Sequence, residues 1–549
     1  MEKSIRVNYV DVIGRHMYAA EITFDEQILK IEKVSDGVQK DWMYCVPGLI
    51  DAHVHIESSM LVPQMFARMV LERGTVGVVC DPHEIANVMG EEGVRFMMRD
   101  AKKSSLKFFF TIPSCVPATP FETNGAEFGS EQIRRLLPEG VALAEMMNYP
   151  GLLAHDPKVM EEMAIAREMG KPVDGHIPGI TDERLRKYAA EGVSTDHESY
   201  TFEEAKAKIR QGMKILVREG SAARNLDALA QLMKSDMDNI MACTDDAHPD
   251  DIRARGHIDK FYRRARREKI EVYDIFKMLT LNPIKHYKLD VGRVQVGDKA
   301  DFVLISDLEK FDVRATYING NRVFDEEQGV LLRPGRSERL NNFIDRSFTD
   351  DDFKVISPDA EVALRVIGLV KDQLVSEEYE WKVSVGKGQE IESDVEQDIV
   401  KIAVINRYKE APVVNGFIKG TGLKRGAMAS SIAHDSHNVV VIGRDVESMR
   451  KAAEIMFGMK GGIVVVEEGG KSSRLQLSVA GLMTSEQWEK VADKYERLVA
   501  VAKMRNGVTL TSPFMTMAFM SLLVIPKLKI GDKGLFDVDK FAFTELFKK

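Results

Sequence analysis

From Leu49 to about Tyr287, short apolar runs alternate with segments of ten or more residues that carry helical patterning, and no other feature constrains the fold of this 549-residue chain so tightly. Such alternation is the signature of βα units around a parallel sheet. The runs GLIDAHV, TVGVVC, KFFFTI, VALAEM, KPVDGH, VSTDHE, MKILVR and NIMACT begin at Gly48, Thr75, Lys107, Val141, Lys171, Val193, Met213 and Asn239. Eight strands in one series predict an α/β architecture closed into a (β/α)8 TIM-like barrel over residues 48–287. Helix signals support the reading: Ser59 and Pro63 open LVPQMFARMVLERG, and Gly74 follows its end.

On either side the pattern changes. Residues 1–47 read as short alternating strands with a hairpin joined near Asp25-Glu26, and residues 288–335 are again strand-like, with Asn319-Gly320-Asn321 as a turn. Together they are expected to form a composite small β domain. The polar run RPGRSERLNN at 333–342 reads as a linker. Beyond it, 336–549 mixes strands such as VVVIG and GGIVVVEEGG with helices such as SEQWEKVADKYERLVAVAKM, which predicts a C-terminal α+β domain.

Eight of the twelve histidines lie between His53 and His257, several of them where a candidate strand ends. Barrel active sites are built at that end. His53 and His55 are two apart on an extended segment, so both side chains face the same side and can reach one metal ion. Taken alone, His-x-His is as compatible with a structural pair. The other strand ends add Glu145, His176, His197 and Asp245. Four histidines and two carboxylates are the ligand stock of a two-metal site for zinc, iron, manganese or a similar ion, with one carboxylate able to bridge. Metal ions lower the pKa of bound water toward ~7, so hydrolytic chemistry follows. The turn Asp81-Pro82-His83-Glu84 closes the second strand with three ionisable groups suited to proton relay or substrate binding.

Three motifs fail. Asn87 stands where H-E-x-x-H needs histidine, and His55-Ile56-Glu57 lacks the P-C-x-x-C of cytidine-type deaminases. Gly420-Thr421-Gly422 with Gly426 is one residue too long for a dinucleotide fingerprint. His434 and His437 lie three apart in His-Asp-Ser-His; they can bind a metal or reach over the barrel mouth, although a structural role is the simpler reading. The net charge of −9 argues against nucleic-acid binding. Cys45, Cys80, Cys115 and Cys243 are too scattered for a disulfide framework or zinc knuckle, which fits a reducing cytoplasm. No stretch approaches the ~20 apolar residues that span a bilayer, so no membrane association is expected.

The residues themselves carry a resemblance. VPGLIDAHVHIESSM at Val46–Met60, CDPHEIANVMG at Cys80–Gly90, PSCVPATPFETNGA at Pro113–Ala126, AEMMNYPG at Ala144–Gly151, DGHIPG at Asp174–Gly179, TDHES at Thr195–Ser199, REGSAARN at Arg218–Asn225 and CTDDAHP at Cys243–Pro249 resemble motifs of the amidohydrolase superfamily. Within it they are most similar to the bacterial and archaeal adenine deaminases, and GFIKGTGLKRGAMASSIAHDSHN and SPFMTMAFMSLLVIPKLKI are similar to that group's C-terminal domain. The resemblance implies hydrolysis of adenine to hypoxanthine and ammonia in purine salvage, with water as co-substrate. Two divalent ions are implied, manganese or iron with zinc as an alternative, held by His53, His55, Glu145, His176, His197 and Asp245. Glu145 would bridge, and Asp245 would also accept the proton of the attacking water. Asp81, His83 and Glu84 would deliver protons or hold the purine, with Glu84 and Asp246 as its contacts. A homo-oligomer is expected by the same analogy. Competing readings are an amidohydrolase acting on another aminated heterocycle or cyclic amide, and a non-catalytic metal-binding relative.

Overall fold

The computed structural model describes residues 2–548 apart from positions 222, 332, 371, 372 and 374; position 222 of the Arg218–Asn225 segment thus lies outside the described residues. These residues divide into two compact units, the first made of Met1–His83, Arg95–Cys115 and Phe128–Ser337 and the second of Glu84–Val94, Val116–Glu127 and Glu338–Lys549.

The first unit opens with β1 (Lys3–Asp11), β2 (His16–Phe24), β3 (Ile28–Ser35) and β4 (Tyr44–Pro47). The parallel series follows as β5 (Leu49–His55), β6 (Thr75–Cys80), β7 (Lys107–Ile112), β8 (Ala142–Met146), β9 (Val173–Gly175), β10 (Thr195–Asp196), β11 (Lys214–Arg218) and β12 (Ile240–Cys243). Parallel pairing runs from β5 through β9, a parallel bridge joins Val173 to Val193, and β10, β11 and β12 continue the order. A two-residue strand, β13 (Asp245–Asp246), returns to pair with β5 and closes the ring. Every residue of β5 and β6 is buried, as expected of barrel strands covered on both faces.

The fifth and sixth strands are shorter than the runs KPVDGH and VSTDHE predict. Side chains take over the ladder's role there: Ile177 N–H donates to Asp196 Oδ1 at 3.0 Å, Glu198 N–H to Asp196 Oδ2 at 3.1 Å, and His176 N–H to the Tyr188 hydroxyl at 3.1 Å. Backbone donors so satisfied have no need of a neighbouring strand, and the chain turns at His176 and His197.

After the barrel come β14 (Phe302–Ile305), β15 (Val313–Ile318), β16 (Asn321–Asp325) and β17 (Gly329–Val330). They join the N-terminal strands in one sheet of order β17-β16-β15-β14-β4-β1-β2-β3. Between β15 and β16, Asn319 (φ 47°) and Gly320 (φ 69°) take the left-handed conformations of a tight hairpin turn. A Cβ on Gly320 would sit 1.4 Å from the Asp25 carbonyl oxygen, so no other residue fits. One apolar cluster, including Val10, Val46, Leu49, Ile215, Leu229 and Phe276, ties this sheet to the barrel's outer layer. Fully buried side chains of this size contribute about 1.5–3 kcal/mol each.

In the second unit, β18 (Glu361–Leu369), β19 (Ser376–Ser384), β20 (Ile399–Ile405), β21 (Val414–Lys419), β22 (Ala427–Ser430), β23 (Val439–Gly443), β24 (Gly462–Val466) and β25 (Ser472–Gln476) form a sheet of order β19-β18-β21-β20-β23-β22-β24-β25, and Phe547–Lys548 pairs with β18. The helix Val446–Gly458 is capped by Asp445, whose carboxylate accepts the Ser448 N–H at 2.8 Å. It buries Met449, Ala452, Ala453, Met456 and Phe457 against Ala427, Val441 and Val464 of the sheet. Residues 333–349 carry no regular secondary structure, and the division between units falls after Ser337. No helix among the described residues is long and apolar enough to cross a membrane.

Candidate metal centre

The strands of the first unit deliver their ligand-bearing side chains to one point. His53 and His55 leave β5 two residues apart, and their Nε2 atoms lie 3.2 Å from each other. Asp245 Oδ1 is 3.4 Å from His53 Nε2 and 3.1 Å from His55 Nε2. Glu145, on β8, sets Oε1 3.3 Å from His55 Nε2, and Oε2 2.9 Å from His176 Nδ1 and 3.3 Å from His197 Nε2. The ring of His197 stacks on that of His53 with centroids 4.4 Å apart. The six ligand candidates therefore converge, with one Glu145 oxygen on each side of the cluster.

Local structure fixes how they point. His55 Nδ1 lies 3.1 Å from the Asp81 carbonyl oxygen, which can only accept, so Nδ1 carries a proton and Nε2 is the nitrogen turned toward the cluster. Asp245 has φ 56°, a left-handed conformation that costs a non-glycine residue energy and recurs where a functional side chain must be re-aimed. Its predecessor Thr244 is clamped to β5: the Thr244 N–H and hydroxyl donate to the two oxygens of Asp51 at 3.0 and 2.5 Å. His257 Nε2 is 3.0 Å from the same carboxylate.

Electrostatics favour a cation here. Burial opposes ionisation of Glu145, but His197, His176 and His55 hold its carboxyl well below the usual range. Burial likewise opposes ionisation of Asp245, yet Arg218, His53 and His55 keep it well below its ordinary value. Burial works against protonation of His55, and the two carboxylates outweigh it and raise the imidazole well above its ordinary value. Packed imidazoles and anionic carboxylates, with ring nitrogens and carboxylate oxygens turned inward, form a donor set that fits divalent transition metals, which bind in place of the imidazole protons.

The other predicted residues stand as follows. Asp81, just past β6, accepts the His83 N–H at 3.1 Å, and its Oδ2 is 3.2 Å from His83 Nδ1, which in turn is 3.6 Å from Glu145 Oε1. Asp246 accepts a hydrogen bond from the Ser58 hydroxyl. Glu84 belongs to the second unit, where its carboxylate lies between His434 Nδ1 and His437 Nε2.

Sequence reasoning passed over three residues that complete the centre. Arg218, buried at the end of β11, donates through Nη1 to Asp245 Oδ2 at 2.6 Å and to Glu198 Oε1, and through Nη2 to the Tyr200 hydroxyl at 2.6 Å. Glu198 Oε1 is 3.5 Å from His197 Nε2, and although burial opposes it, Arg218 brings the Glu198 carboxyl down to about 2. Both Glu198 and Arg218 end predicted strands and lie in the TDHES and REGSAARN segments, signals that could have marked them.

Comparison with known proteins identifies the family. Residues 44–323 match the amidohydrolase family and residues 373–542 the adenine deaminase C-terminal domain. The chain is 46% identical over 554 residues to an adenine deaminase of Methanosarcina mazei, with 98% of each chain covered. It is 42% identical to an adenine deaminase of Salinibacter ruber, with 99% of each covered. For the adenine deaminase of Borreliella burgdorferi the identity is 41%, over 98% of this chain and 99% of that one. With such likeness running nearly end to end, the chain belongs to the adenine deaminase family of amidohydrolases.

Proposed function

We propose that the chain converts adenine and water to hypoxanthine and ammonia at the cluster built around Glu145 and Asp245. The observation that carries this reading is the convergence of four imidazoles on those two carboxylates in a chain of this family. Amidohydrolases are metal-dependent, and two ions, manganese or iron before zinc, would be held by His53, His55, Glu145, His176, His197 and Asp245. When bound, they supply Lewis acidity that brings the pKa of water toward ~7.

The chain's own groups handle position and protons. Asp245, steadied from behind by Arg218, takes the proton of the water that adds to carbon 6 of adenine. The added oxygen makes that carbon tetrahedral, and a proton must reach the adjacent ring nitrogen and the amino group before ammonia leaves. Glu84 carries that proton, with the Asp81–His83 pair as its neighbour in the chain. General acid–base steps of this kind are worth about 10²–10⁴-fold. Asp246 is our candidate for a purine contact. A cytoplasmic enzyme, homo-oligomeric by analogy with its family, completes the reading; four cysteines that are all free and buried suit a reducing compartment.

The test is ammonia release from adenine by metal-free protein reconstituted with manganese, iron or zinc, alongside metal analysis. Activity that returns with two equivalents of metal supports the reading. Full metal occupancy without adenine turnover overturns it.

A further inference from the structure

The second unit contains a cluster outside the metal centre: the Glu84 carboxylate with His434 Nδ1 on Oε1 and His437 Nε2 on Oε2, all three side chains buried. A carboxylate only accepts, so each facing nitrogen carries a proton. For His437 this is fixed independently: Nδ1 accepts the Ala433 N–H at 3.2 Å, which leaves the ring proton on Nε2. The same bond argues against a cation at this cluster, because a neutral His437 has no lone pair left on Nε2 to ligate one. Burial, ahead of its other neighbours, brings the His437 pKa down to about 4, so the ring is neutral at ordinary pH and is a donor at Nε2 only.

Both rings are themselves held. His434 stacks on Phe519 with centroids 4.7 Å apart, and its backbone N–H donates to the Ala518 carbonyl at 3.1 Å. The His437 N–H donates to the Ala433 carbonyl at 2.7 Å, closing a tight turn over Asp435 and Ser436. Ser436 is tied in turn to the Glu122 carboxylate at 2.8 Å. Two fixed N–H donors, one for each oxygen, leave a carboxylate little rotational freedom.

We infer that His434 and His437 are positioning residues, which clamp the Glu84 carboxylate from the C-terminal domain and so set the direction in which it hands on its proton. The inference rests on the reading of Glu84 as proton carrier. It gives the His-Asp-Ser-His segment a purpose in the reaction.

The test compares kcat, KM for adenine, metal content and thermal midpoint of the full-length metal-loaded enzyme in substitutions that keep or remove each N–H. Asparagine at 434 offers an amide N–H near the place of Nδ1, and glutamine at 437 one near Nε2. His434→Asn and His437→Gln are expected within about 5-fold of the parent in kcat, whereas His434→Leu and His437→Leu lose about 100-fold with KM and metal content little changed, as misplacement of a reacting group by ~1 Å can cost that much. In a Glu84→Gln background, His437→Leu should cause no further loss. Leucine variants with parental kcat, amide variants as impaired as leucine ones, or losses that simply add to those of Glu84→Gln would each overturn the clamp. A third equivalent of bound metal lost on His437→Leu would overturn it too. Parental turnover in Glu84→Gln itself would instead remove the role given to Glu84, a failure separately visible from failure of the clamp.

Discussion

Replacing Arg218 with methionine keeps much of the side-chain volume and removes the guanidinium that hydrogen-bonds both Asp245 and Glu198. In the native arrangement Asp245 Oδ2 and Glu198 Oε1 contact the same guanidinium nitrogen, which puts them within about 5 Å of each other. Two negative charges at that spacing repel by about 3 kcal/mol at an effective dielectric constant of 20. Breaking a buried pair by deleting one partner typically costs about 3–5 kcal/mol, in keeping with that figure. The carboxylates can relieve the repulsion by swinging apart, and Asp245 then leaves the line it holds toward His53 and His55. If about 3 kcal/mol is lost from the transition state, kcat falls by roughly 100-fold. Arg218→Lys should recover only part of this, because an ammonium cannot span Asp245, Glu198 and Tyr200 as the planar fork does. The assay is steady-state ammonia release from adenine, with metal content measured on the same preparations. An Arg218→Met enzyme with metal in place and kcat within twofold of the parent would refute the argument that Arg218 holds Asp245 in line.

Two further outcomes test neighbouring links. Asp245→Asn keeps the shape and one ligating oxygen but cannot take up the proton of water, so turnover should vanish while bound metal is largely retained; near-normal ammonia release would sink the assignment. Asp51→Ala strips the acceptor from the Thr244 N–H, the Thr244 hydroxyl and the His53 N–H. At about 1–3 kcal/mol for each buried group left unsatisfied, it should destabilise the first unit by at least about 3 kcal/mol, read as a lowered urea midpoint, and an unchanged midpoint would exclude the closing role given to Asp51.

The barrel was legible in the chain because its cause is local. Each buried parallel strand must be a short apolar run, and each crossover must be a helix, so the alternation announces the sheet before any contact is known. His53, His55, Glu145, His176, His197 and Asp245 were legible for a related reason: barrel topology brings every strand's end to one rim, and residue type and position along the strand suffice to nominate ligands. The true extents of β9 and β10 were not legible, since Asp196 and Tyr188 reach across the fold to take the backbone N–H groups that a longer ladder would have used.

What the sequence by itself determined was therefore the periodic scaffold and the kinds of atom at its rim. The tertiary structure alone decided which of those atoms are steered and by what. Arg218 meets Asp245 across 27 positions, and Glu84 meets His434 and His437 across 350 and 353. A charge or a histidine carries no mark of its distant partner; only the folded backbone brings such groups within the few ångströms over which a hydrogen bond acts, and buries them where that bond is strong.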